Sequence, residues 1–369
     1  MVRATDDDLF RLPTPAMVID AAVVRRNVRK LAEYAASVGL KVRPHTKTHK
    51  LRELARLQLE AGAIGLTVAK VGEAEVISDP GQDLLMAYPP VGEQRAERLA
   101  VLARDRTVRA AVDSLTAIEA VSAAARAAGV TVGLLVDLDV GMHRTGVPLP
   151  QDTLPLAQAI DRATGVRLDG LMIYPGHVDG TPQQQESELK RIDRLVGETI
   201  ELWAKHGLAA AIISGGSTPT AYQSHFVSRQ TEIRPGTYIF NDMNTVRGGY
   251  ATVEDCAARV LATVVSNAVT GQVVIDSGSK TLAADRYTSI ADAGFGHVIE
   301  YPKARIVRLT EEHAQIDVRG CETPPKVGDR VTVIPNHICP CVNLQPEVWW
   351  REDGSPLRRL VVDARGRIQ

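Results

Sequence analysis

The chain has 369 residues, 44% of them hydrophobic and 24% charged, a composition that excludes disorder and can fill a barrel-sized domain with a smaller companion. Lysine and arginine number 43 against 44 aspartate and glutamate, so the net charge of −1 removes the electrostatic reason to expect nucleic acid or an anionic membrane as partner. Aromatic residues reach only 4%, leaving Val, Leu, Ile and Ala to fill the interior, as suits strands buried on both faces of a parallel sheet.

The first dozen residues, MVRATDDDLFRL, place acids where a signal peptide needs a basic end and an apolar run, and nowhere do 18 apolar residues stand together. A cytoplasmic protein with no membrane partner is expected. From there to about residue 245, short apolar runs alternate with segments of helical period. The runs are 16–20, 40–44, 63–69, 83–88, 108–112, 130–140, 167–174 and 209–216, with 234–240 following. Asp20 is placed to cap a helix whose apolar residues Val24, Val28, Leu31, Ala35 and Val38 share a face, with Gly39 as its stop. Leu189, Ile192, Val196, Ile200 and Trp203 repeat that geometry over 183–206. Repeated strand–helix units give an α/β fold with a parallel sheet, and eight of them fit a (βα)8 barrel of the TIM type, a domain of roughly 250 residues. An open doubly wound sheet is the alternative. The barrel is assigned to 13–245. Beyond Tyr250 the runs are short, rich in Val and Ile and separated by Gly, Pro or Asp, which predicts a C-terminal all-β domain over 246–369, completed by 1–12. The four cysteines, Cys256, Cys321, Cys339 and Cys341, are too few for a disulfide framework and read as free thiols or metal ligands.

In a barrel, chemistry belongs at the C-terminal ends of the strands. The segment RPHTKTHK (43–50) closes the second run: Pro44 ends the strand, and His45 and Lys47 share a face at its mouth, with His49 and Lys50 beyond them. A basic cluster is ordinarily a solvated face. Here a lysine among cations in a partly desolvated mouth favours the neutral, nucleophilic amine, so Lys47 suits Schiff-base chemistry, with His45 a second catalytic candidate. The segment DLDVGMHRTGV (137–147) presents Arg144 on a Gly-punctuated loop suited to an anion or a ring nitrogen. SGGST (214–218) and RPGTYIF (234–240) set small residues and hydroxyls after late strands, where barrels build phosphate sites from backbone N–H groups; elsewhere such a sequence is a plain turn. In NHICPCVNL (336–344), His337 and Cys339 stand one residue apart, so on an extended strand both point the same way, a pair that zinc accepts. A buried thiol beside a surface imidazole is the plainer reading.

Taken together, these segments resemble the D-threonine aldolase and D-serine dehydratase family, fold-type III enzymes that use pyridoxal 5'-phosphate (PLP) on the alanine racemase barrel. The resemblance runs from TPAMVID (14–20) to the H-x-C segment. It implies Lys47 as the cofactor lysine, Arg144 facing the pyridine nitrogen, and Tyr174 of IYPGH as an active-site tyrosine. It implies Gly215, Gly216, Ser217, Gly236, Thr237 and Tyr238 as the phosphate cradle, and His337 and Cys339 as ligands of a divalent metal, zinc or manganese. A β-rich lid and a head-to-tail homodimer with shared active sites are implied as well.

The activity implied is that of a lyase acting on D-3-hydroxy amino acids. An aldolase breaks Cα–Cβ to give glycine and an aldehyde; a dehydratase removes the α-proton and the β-hydroxyl to give a 2-oxo acid and ammonia. The His-x-Cys pair resembles the dehydratase branch, whereas Pro340, Val342 and Asn343 after it resemble the aldolase branch. A histidine that the aldolases carry shortly after the barrel tyrosine is replaced here by Gly180, with His177 the substitute as catalytic base. Two readings from other classes are a non-catalytic PLP carrier and a metal-only barrel hydrolase with His45, His49 and His177 as ligands. Lys280 reads as a surface lysine.

Overall fold

The computed structural model describes Leu9, residues 11–286, Ile290 and residues 293–369, so most of the 1–12 segment assigned to the β domain lies outside the described residues. The first strand among the described residues is β1 (Ala16–Asp20), and a helix, Ala21–Ser37, follows it. Asp20 Oδ1 accepts from the Val23 N–H at 3.1 Å, and Gly39 turns the chain at φ +73°, which are the cap and stop that the sequence implies. Among the described residues, eight parallel strands follow: β2 (Lys41–Val42), β3 (Leu66–Val68), β4 (Asp83–Met86), β5 (Thr107–Val112), β6 (Val132–Leu138), β7 (Val166–Ile173), β8 (Ile212–Gly215) and β9 (Glu232–Ile233). They pair in the order β2-β9-β8-β7-β6-β5-β4-β3. A parallel bridge from His45 to Thr67 joins the two ends, so the sheet curls round into the expected barrel.

Every residue of β6 is buried, because helices cover the sheet outside while side chains fill it inside. The helix Pro182–Lys205 turns Leu189, Ile192, Val196 and Trp203 inward, as its periodicity predicts. Inside the barrel, Leu85, Ala111, Leu135 and Met172 form an apolar layer. Towards the strand starts lies a layer of charge. Arg43 Nε sits 3.0 Å from both carboxylate oxygens of Glu232, and its Nη1 2.5 Å from Asp83. Arg109 continues the chain of pairs to Asp83 and Asp169, at 2.6 and 2.7 Å. A Cβ on Gly65 would overlap the Arg43 guanidinium, and one on Gly133 the Asp169 carboxylate.

The strand β1 does not enter the barrel. It lies between β10 (Ala258–Ser266), antiparallel, and β16 (Glu347–Arg351), parallel. Their sheet has nine strands among the described residues, the others being β11 (Gln272–Ile275), β12 (Gly296–Val298), β13 (Arg305–Leu309), β14 (Ala314–Asp317), β15 (Arg330–Pro335) and β17 (Arg358–Val361). Reading residues 16–20 as the first barrel strand therefore fails. A short apolar run followed by a helix looks the same in either sheet, and what decides is pairing with Leu261 and Trp349, far along the chain. Contacts accordingly divide the chain into two compact units. The barrel unit is Arg29–Lys47, Arg52–Gly236 and Arg367–Gln369; the β-rich unit takes the described residues up to Val28, with Thr48–Leu51 and Thr237–Gly366. No helix among the described residues is long and apolar enough to cross a membrane.

Candidate active site

At the C-terminal ends of the barrel strands lies a cavity of about 260 Å³. Past β2 it is lined by His45 and Lys47, and past β3 and β4 by Ala69, Ala87, Tyr88 and Pro89. Arg144 and Thr145 close it after β6, Met172 and Tyr174 at β7, and Arg234 after β9. No carboxylate is among these lining residues. The residues around Lys47 are pinned on both sides: the His45 N–H donates to the Pro235 carbonyl at 3.0 Å, and the Thr46 N–H to that of Thr67 at 2.9 Å. The Arg144 guanidinium lies over the Tyr174 ring, 4.6 Å from its centroid, and Lys70 Nζ lies 3.5 Å from that of Tyr88.

Three carboxylates hold the loop that carries Arg144. Asp139 accepts from the N–H groups of Gly141 and His143, both at 3.0 Å, and pairs with the His143 ring at 2.7 Å. Burial pushes against its ionisation, but these bonds hold its pKa below the usual aspartate value. Asp137 accepts from the Thr145 hydroxyl at 2.9 Å, and Asp113 from the Gly146 N–H at 3.2 Å. Burial drives the Asp137 carboxyl up to about 6, against the Thr145 hydrogen bond and the opposing charges of Arg234 and Arg144. Arg234 is itself fully enclosed, which brings its guanidinium down to about 10. It donates to Ser214 Oγ at 2.7 Å and to the Ile173 carbonyl at 2.9 Å.

The other basic residues of RPHTKTHK go elsewhere. The turn at 46–49 ends the strand alternation. His49 is fully buried and its Nδ1 accepts from the Leu51 N–H at 3.0 Å, while Lys50 adopts φ +56° and turns its Nζ to the Ala364 carbonyl at 3.4 Å. His177, the candidate base, is not a lining residue either. Its Nε2 lies 3.3 Å from Glu188, its Nδ1 is buried with no partner, and a Cβ on Gly141 would press on the ring. Among the described residues no three His, Cys, Asp or Glu side chains gather in a metal-holding arrangement.

Of the expected phosphate cradle, Gly215, Gly216, Ser217 and Gly236 belong to the barrel unit and Thr237 and Tyr238 to the β-rich unit. Gly216 takes φ +79°, where an L side chain is strained and a Cβ would press on Ile233; a Cβ on Gly215 would overlap the buried side-chain amide of Gln230. The Ser217 hydroxyl meets that of Thr220 at 3.0 Å. None of the cradle residues lines the cavity, and Arg234 is the link, lining it and bonding to Ser214. Tyr238 is buried, and the Thr237 hydroxyl faces Cys339 Sγ at 3.7 Å.

In the β-rich unit, His337 and Cys339 sit where β15 turns into the helix Ile338–Leu344. Cys339 Sγ lies 3.2 Å from Thr48 Oγ1, and His337 Nδ1 2.6 Å from Asp285 Oδ2. Burial disfavours the imidazolium, yet hydrogen bonds to Cys339 and Asp285 and the charge of Asp242 bring His337 up to about 9. One imidazole and one thiolate fit a borderline-soft divalent ion whose remaining positions go to water or substrate. The barrel cavity fits PLP: one amine, aromatic faces, guanidinium groups, and neighbouring glycines that tolerate no side chain.

Known proteins share this architecture. Residues 19–244 match the family described as alanine racemase, N-terminal domain, and residues 257–350 the putative serine dehydratase domain. The D-threo-3-hydroxyaspartate dehydratase of Delftia sp. (strain HT23) is 31% identical, over 90% of this chain and 92% of its own. The crystal structure of D-threonine aldolase from Filomicrobium marinum is 30% identical with a TM-score of 0.90, covering 98% of both chains. A mutant D-threo-3-hydroxyaspartate dehydratase in the metal-free form is 28% identical with a TM-score of 0.88, covering 96% of this chain and 98% of its own. Barrel, β-rich unit and lysine-bearing cavity thus define a fold-type III PLP protein. The chain belongs to the D-threonine aldolase and D-serine dehydratase family, whose named relatives are lyases.

Sequence reasoning passed over Arg234, Asp137 and Asp285. The first two lie inside segments already singled out, and an acid within the apolar run 130–140 is a signal in itself, because a buried strand keeps a charge only where it is paired. Asp285 stands in no motif.

Proposed function

We propose that the protein is a PLP- and divalent-metal-dependent lyase that cleaves D-3-hydroxy amino acids between Cα and Cβ, releasing glycine and an aldehyde as a D-threonine aldolase does. The convergence of Lys47, Arg144 and Tyr174 on a barrel-end cavity with no lining carboxylate carries this reading. PLP, when bound, supplies a carbonyl for the substrate amine and a ring that draws electrons from the bond to be broken. Lys47 would hold the cofactor and deliver a proton to Cα as the Cα–Cβ bond breaks, while His45, the other base lining the cavity, takes the proton that the β-hydroxyl gives up. Arg144 would face the ring nitrogen, a partner that a guanidinium does not protonate, and the anchoring of its loop by Asp113, Asp137 and Asp139 keeps it over Tyr174. His337 and Cys339 would hold a zinc or manganese ion, whose Lewis acidity acts on the β-hydroxyl.

A dehydratase is the second reading. His177 is paired with Glu188 away from the cavity lining, which leaves His45 and Lys47 as its bases, and Lys47 alone suffices to take an α-proton. Incubating the protein with PLP, Mn2+ or Zn2+, and either D-threonine or D-serine separates the two. Acetaldehyde with glycine from D-threonine supports the aldolase; pyruvate with ammonia from D-serine supports the dehydratase. A bound cofactor band without turnover of either would return the non-catalytic carrier. The four free cysteines suit the reducing cytoplasm in which we place the protein. A homodimer with shared active sites completes the reading, and light scattering of the purified protein tests it.

A further inference from the structure

The turn that carries His337 and Cys339 is held by a network that no sequence motif announces. Asn336, buried just before it, donates through Nδ2 to the backbone carbonyls of Asp285 at 2.9 Å and Gly294 at 2.8 Å, and accepts from Arg247 at 2.5 Å. The Ile338 N–H donates to the buried Asp242 carboxylate at 3.0 Å. Backbone direction is thereby fixed on both sides of His337. The ring has one rotation left to settle, and the Asp285 side chain settles it: its Oδ2 stands 2.6 Å from His337 Nδ1.

A carboxylate only accepts, so Nδ1 carries a proton towards Asp285, and the Nε2 edge, which meets Cys339, is the one that gives up its proton when a divalent ion binds. Asp285 is occupied at Nδ1 and is therefore no third donor to an ion at Nε2, in keeping with the absence of a three-residue metal cluster among the described residues. We infer that Asp285 is the positioning residue of the metal site, acting through His337 by fixing its tautomer and ring plane so that Nε2 and the Cys339 thiolate converge on one divalent ion. The inference rests on the metal reading of His337 and Cys339 given above. Carboxylate partners of this kind raise the basicity of the ligating imidazole, and their removal typically weakens metal binding by roughly 10- to 100-fold.

The test is the affinity of the full-length, PLP-loaded protein for Zn2+ alone, measured by competition with a chelating dye for the wild type and for Asp285→Asn, His337→Ala and Cys339→Ala. The bond from Asn336 uses the Asp285 backbone carbonyl, so the asparagine variant keeps the turn and its thermal midpoint. The expected result is that both ligand variants lose Zn2+ and that Asp285→Asn binds it roughly 10- to 100-fold more weakly, with Asp285→Glu recovering part of the loss. Wild-type affinity in Asp285→Asn, with binding lost in the ligand variants, would overturn the inference and leave the metal reading standing. Unchanged affinity in His337→Ala and Cys339→Ala would remove both. Nitrogen-15 NMR of His337 in the wild-type, Zn2+-loaded protein checks the same point without substitution: a proton on Nδ1 is expected, and one on Nε2 contradicts it.

Discussion

Asp137 shows what the site asks of single residues. It stands one residue before the end of a strand of buried apolar side chains, holds Thr145 on the loop of Arg144, and is pushed up to about 6 because burial disfavours its charge. An unfolded aspartate titrates near ~3.9. Stability tied to its protonation is therefore complete below that value and is lost as pH rises through about 6, at most about 3 kcal/mol at neutral pH. Asp137→Asn is expected to raise the free energy of unfolding at pH 7.5 and to do so only about half as much near pH 5, read from urea titrations at both. An equal effect at the two pH values would contradict it. His45, Lys47 and Arg144 were legible in the sequence because each follows a strand whose apolar run is plain, so position at the barrel mouth could be read with the residue, whereas Tyr174 came from the family resemblance alone. Asp285 was not legible, since its meaning depends on a fold that brings it to His337.

Among the elements, the barrel strands carry two kinds of information. Their apolar runs were readable, and the periodicity of 183–206 gave the observed helix almost to the residue. The charge layer across β4, β5, β7 and β9 was not, because Arg43, Asp83, Arg109, Asp169 and Glu232 are single polar residues on separate strands, each unremarkable until the sheet curls. Replacing Arg43 strands Glu232, buried, without its cation. Arg43→Ala is expected to cost about 3–5 kcal/mol in chemical denaturation, and a loss within error of zero would show that the layer contributes no net stability.

Over the whole molecule, chain order and spatial order part company at β1. The N-terminal strand belongs with β10 and β16, so a cut at residue 245 does not release a barrel domain; it leaves β1 without both neighbours. The fragment 13–245 is expected to expose Met17 and Ile19, buried in the whole chain, and to bind a hydrophobic dye that the intact protein does not. A soluble fragment with no dye binding would contradict this. That division was hidden from the sequence because the pairing spans most of the chain, whereas the segments that line the barrel cavity, lying at strand ends, were open to reading. The central claim, a PLP lyase built on Lys47, is tested most directly by reducing the PLP-loaded protein with borohydride and mapping the phosphopyridoxyl group by peptide mass spectrometry. The expected result is a label on Lys47 and loss of both label and visible absorbance band in Lys47→Ala. A label on another lysine, or none, would contradict it.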